Sequence, residues 1–208
     1  MYYQVLWINA KPNNRMNGVA HLKKLEQIAR DEHGLASRVY LGIAHGPTNL
    51  IGFITPYESM AALVKTGDAV GSGPSFQAWS EEAVEFLDLA SAEWETYRIL
   101  RDGGGNASAN FLNTIGVHIT PGKMGAAHEM LNKLAEHYEE TYGRPVDILS
   151  LEGGLHYHHF ITISYDTLEQ YDAVQAALQD DDAYAQWAVD MMGMFDNRTI
   201  EKGIGRYM

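Results

Sequence analysis

A repeat runs through this chain and limits its fold more than any other feature. Sliding the sequence on itself lays His45–Leu100 over Gly153–Met208 without a gap, so that the end of the first copy meets the last residue. The matches keep their order. Gly46 meets Gly154, Tyr57-Glu58-Ser59-Met60 meets Tyr165-Asp166-Thr167-Leu168, Phe76 and Trp79 meet Tyr184 and Trp187, and Glu93 and Arg98 meet Glu201 and Arg206. Upstream, Gly18-Val19-Ala20-His21 resembles Gly125-Ala126-Ala127-His128. Self-similarity of this kind means one supersecondary unit used twice. The predicted organisation is a first repeat over 1–100, a linker over 101–113 with the flexible run Gly103-Gly104-Gly105-Asn106, and a second repeat over 114–208.

Each copy reads as strand, helix, strand, strand, helix, strand. In the second copy, Thr114 to Thr120 alternates apolar with small or polar residues, which is the period of a strand with two different faces. Ala127, Leu131, Leu134 and Tyr138 then recur at helical spacing, and Gly143 with Pro145 supplies the stop. Val146 to Leu151 and His156 to Ser164 read as strands, and Asp166 with Glu169 as the start of the next helix. In the first copy the corresponding late elements are a helix over Phe76 to Leu89 and a strand over Thr96 to Leu100, with Gly67 to Pro74 as a lid or linker.

A four-stranded antiparallel sheet with both helices on one face leaves an apolar face to cover. The expected class is therefore α+β, with two tandem βαββαβ units whose antiparallel sheets face each other within one chain and enclose a ligand site.

Composition removes several chemistries. The chain has no cysteine, which excludes disulfides, thiolate nucleophiles, iron–sulfur clusters and Cys-ligated zinc. Its formal charge is −12 and its fifteen Lys and Arg are scattered, so it lacks the basic footprint that neutralises phosphates. Nucleic acid and membranes are not expected partners; a small-molecule substrate is, in a cytoplasmic monomer or homodimer.

The element order, the duplication, the strand end Ile119-Thr120-Pro121-Gly122-Lys123-Met124 and the aromatic-x-x-Trp pairs resemble the dimeric α/β-barrel superfamily of ferredoxin-like proteins, in particular its NIPSNAP-like and antibiotic-biosynthesis-monooxygenase-like branches. The resemblance implies a small-molecule enzyme of the cofactor-independent monooxygenase or cyclase type, acting on an aromatic or polyketide-like substrate. Its alternatives are a metal- or heme-dependent oxidoreductase and a non-catalytic binding or assembly protein. Asn9 and Trp79 resemble two pocket residues of the heme-degrading branch, but Leu89 and Asn197 stand where that branch carries its axial histidine, so no heme is expected.

The residues themselves single out Leu155-His156-Tyr157-His158-His159-Phe160. Alternation puts His156 and His158 on one face and Tyr157 and His159 on the other. The first strand sends His118 to the same face as His158. His118 and His158 are the candidate bases, because imidazole titrates near neutrality. Asn9, Trp79, His156, Tyr157, Trp187 and Arg206 are candidate substrate contacts. No metal is expected; were one bound, His118, His156 and His158 would be its ligands.

Overall fold

The computed structural model describes residues 1–44, 49–105, 109–153, 157–196 and 201–208. The chain divides into two compact units, Met1–Arg98 with Gly205–Met208, and Ile99–Ile204.

In the first unit, β1 (Tyr2–Ala10) leads through α1 (Arg15–His33) to β2 (Arg38–Ala44) and β3 (Leu50–Tyr57). Then come α2 (Met60–Ser72), α3 (Pro74–Ala83) and β4 (Leu87–Arg101). The antiparallel order is β2-β3-β1-β4. Leu6, Ile8 and Ala10 of β1 pack with Val19, Leu22 and Leu25 of α1, which fixes the helix side of the sheet. Gly34 ends α1 in the left-handed conformation, φ 66°, where a side chain would be strained.

Two expectations are corrected here. Gly67 to Ser72 is helix, not a lid, because Ser59 caps α2 by accepting from the Ala62 amide and nothing interrupts the helix before Gly73 and Pro74. The helix expected to reach Leu89 stops at Ala83, and β4 begins at Leu87, well before Thr96. The Asn9–Ala10 end of β1 needs a partner strand, and Asp88 and Leu87 of β4 supply it across a register shift between Trp7 and Asn9.

The second unit repeats the plan with β5 (Phe111–His118), α4 (Met124–Tyr142), β6 (Val146–Glu152), β7 (His158–Tyr165), α5 (Leu168–Ala177), α6 (Asp182–Asp190) and the start of β8 (Glu201–Tyr207). Its antiparallel core order is β6-β7-β5. Ala127, Leu131, Leu134 and Tyr138 of α4 bury against Val117, Ile148, Ile161 and Ile163 of the sheet. Thr167, one residue beyond the expected Asp166, caps α5 by accepting from the Gln170 amide, and Gln170 Oε1 accepts from the Asp166 amide. Asp181 caps α6. No helix among the described residues is long and apolar enough to cross a membrane.

Candidate functional site

The register of β5 on β7 sets His118 opposite His158, Val117 opposite His159 and Ile115 opposite Ile161. Val117 and Ile161 lie in the helix-side core, so alternation turns His118 and His158 to the helix-free face. There the two rings stack, centroids 4.0 Å apart and planes 16° from parallel, with Phe160 leaning on His158 at 4.4 Å. His118 Nδ1 is buried and makes no hydrogen bond among the described residues. Further along the same face, the register pairs Leu149 with Phe160 and Asp147 with Thr162. The pair thus combines proton-accepting nitrogens with an aromatic surround.

Asp147 is fully buried, and its Oδ1 accepts from the Gly103 amide at 2.6 Å. Burial, the largest cause, pushes its carboxyl up to about 6, against the opposing pull of that amide. A folded-state value raised above the unfolded one gives stability that is whole below the unfolded value and lost as pH rises through the folded one. The folded chain therefore loses stability from about pH 4 to pH 7 through this group. Asp147→Asn is expected to stabilise by about 2 kcal/mol at pH 8 and to be nearly neutral at pH 4, as read by urea unfolding at both pH values.

On the helix side, His159 meets His128 of α4, Nε2 to Nε2 at 2.9 Å. Alternation sends His159 to this side, but no sequence signal identifies its partner. The matching histidine of the first unit, His21, instead exchanges bonds with Trp79. His21 Nε2 bonds the Trp79 carbonyl and the Trp79 indole donates to the His21 carbonyl, both at 2.9 Å.

Of the other predicted contacts, Trp79 is buried between His21 and Phe76 in the helix-side core. Asn9 alternates with Ile8 and Ala10 and so belongs to the opposite face; the structure does not bring it together with Trp79. Trp187 lies edge-on to His137 of α4 at 4.6 Å, on the helix side and away from His118. Tyr157 is exposed just before β7, its carbonyl accepting from the Ile119 amide. Arg206 is exposed on β8. His156 and Asn197 lie outside the described residues, and no group of three potential metal ligands occurs among the described residues.

No family model and no curated protein matches the sequence. Solved structures do match the fold. A candidate monooxygenase from Lactobacillus acidophilus NCFM superposes with a TM-score of 0.68 at 10% identity, covering 99% of this chain and 93% of that one. An anthrone oxidase-like protein gives 0.67 at 12% identity, covering 100% and 91%. The chain shares the α+β fold of these structures.

A third match corrects the expectation of cofactor-free chemistry. The heme-degrading enzyme LmHde from Listeria monocytogenes gives 0.53 at 9% identity, covering 98% and 99%. Working without a cofactor is therefore not a property of this fold, and the expectation that rested on it falls. Leu89 offers no atom that could ligate heme iron, and the first unit is closely packed at Gly18, where a Cβ would stand 2.9 Å from Leu87 and 3.2 Å from Ile51.

Proposed function

We propose that this chain is a monooxygenase-type oxidoreductase that takes an aromatic or polyketide-like small molecule, with the His118–His158 pair removing a proton from a phenol or enol. The observation that supports this most is the stacked pair itself, held by adjacent strands on the helix-free face with Phe160 beside it. The anthrone oxidase-like neighbour agrees with the substrate class.

In the proposed step an O–H or activated C–H bond of the substrate breaks. The proton goes to an imidazole nitrogen, and the electron pair stays on the substrate as an electron-rich anion. Such a proton transfer is effective when the base sits near neutrality and within hydrogen-bond reach.

The test uses a dihydroxyanthraquinone, whose absorption shifts when a hydroxyl ionises. Bound at saturation to the protein, below the pH at which the free dye ionises, it should show the anion spectrum, and in a His118→Ala, His158→Ala variant the neutral one. A neutral spectrum on the unmodified protein would defeat the proposal.

A further inference from the structure

The first unit carries a second, unrelated constellation on its own helix-free face. Trp7 of β1 stands opposite Gly52 of β3 and Glu93 of β4. A Cβ at Gly52 would lie 2.7 Å from Trp7 Cζ3, so the benzo edge of the indole rests over that glycine. At its other end the indole Nε1–H donates to Glu95 Oε2 at 2.6 Å, and the Tyr97 hydroxyl donates to the same oxygen. The indole therefore reaches from β3 to β4, and Trp7 is only partly buried. Tyr40 rises edge-on beside it, centroids 6.1 Å apart and planes at 78°. Tyr40 is itself seated over Gly205, where a Cβ would fall 2.1 Å from its Cζ.

Glu95 is the unbalanced part of this arrangement. Both donors go to Oε2, and Oε1 accepts no hydrogen bond among the described residues while the residue is only half-buried. A carboxylate whose one oxygen is spent on fixing an indole still has its other oxygen available at the rim of that ring. A flat ring stacked on an aromatic face gains offset-stacking energy, and a donor reaching a carboxylate makes a charge-assisted bond. The same carboxylate repels an anionic ligand.

We infer that Trp7, Tyr40 and Glu95 form a binding site on the first unit for a flat aromatic ring bearing a hydroxyl donor, the ring on the indole and the hydroxyl on Glu95 Oε1. The site needs neither His118 nor His158, so it stands or falls apart from the proposed proton transfer.

The probes are 2-naphthol, its methyl ether 2-methoxynaphthalene and 2-naphthoate, titrated by calorimetry. Expected for the unmodified protein is saturable binding of 2-naphthol, weaker binding of the ether and none of the carboxylate. Glu95→Gln should weaken 2-naphthol about tenfold or more, since a hydrogen bond to a charged group is lost, while leaving the ether unchanged; that invariance shows that the indole is still in place. Trp7→Leu should weaken naphthol and ether together by about three- to tenfold. Two results would each overturn the inference: unchanged 2-naphthol affinity in Glu95→Gln, or absence of saturable binding.

Discussion

Alanine at His118 and His158 together is expected to lower turnover of a hydroxyanthrone by about 10²- to 10⁴-fold, the range that a positioned general base contributes. The two rings stack on each other and His158 also leans on Phe160, outside the helix-side core, so their loss removes two aromatic contacts of about 1 kcal/mol each. The variant should therefore keep its circular dichroism spectrum and fall only modestly in urea midpoint. Residues that act as a unit are non-additive, so the double variant should be no slower than the worse single one. Steady-state rates of the two single variants and the double one, each checked for folding, decide the matter. Rates within about threefold of the unmodified protein would leave the pair without a catalytic role.

The second large effect is expected at Gly103, within the run that composition alone marks as flexible. A Cβ there would stand 2.6 Å from the Val146 amide nitrogen and 2.7 Å from its carbonyl oxygen. Those atoms belong to the backbone of β6 and cannot rotate aside as a side chain would. The Gly103 amide is also the donor to buried Asp147. Gly103→Ala should cost about 3 kcal/mol, the upper part of the overpacking range, because the only relief is a backbone shift that also strains this bond. Gly104→Ala is the internal comparison. Its added Cβ meets nothing within 4 Å, and its φ of 74° alone costs about 1 kcal/mol. Urea unfolding of the two variants should rank Gly103→Ala clearly below Gly104→Ala; the reverse order would mean that this segment is not packed on β6.

Strand and helix periodicity is local, and what depended on it could be read from the sequence. The apolar spacing of α4, the alternation of β5 and the opposite facing of His158 and His159 follow from periods of 3.6 and 2. The meeting of His118 with His158 needed one further step, the adjacency of first and third strands in this element order. What escaped depends on distant partners. Glycine-rich Gly67 to Ser72 reads as a break, yet it is helix in α2, between a side-chain cap at Ser59 and Pro74. The length of β4 is set by its pairing with all of β1, and the clamp of Glu95 on Trp7 by the register of that pairing. Likewise His128 could not be assigned to His159 before the helix was docked on the sheet. The expectation of cofactor-free chemistry came from a family resemblance, with Leu89 and Asn197 standing where its heme-degrading branch has the axial histidine, and a heme-degrading enzyme with the same fold removes that ground.

The most direct measurement is a crystal structure of the protein with a bound dihydroxyanthraquinone. The proposed function places a ligand oxygen about 2.6–3.2 Å from a ring nitrogen of His118 or His158, on the helix-free face of the second unit. A ligand seated only on the helix side, against Trp187 or Trp79, with the histidine pair untouched, would contradict it.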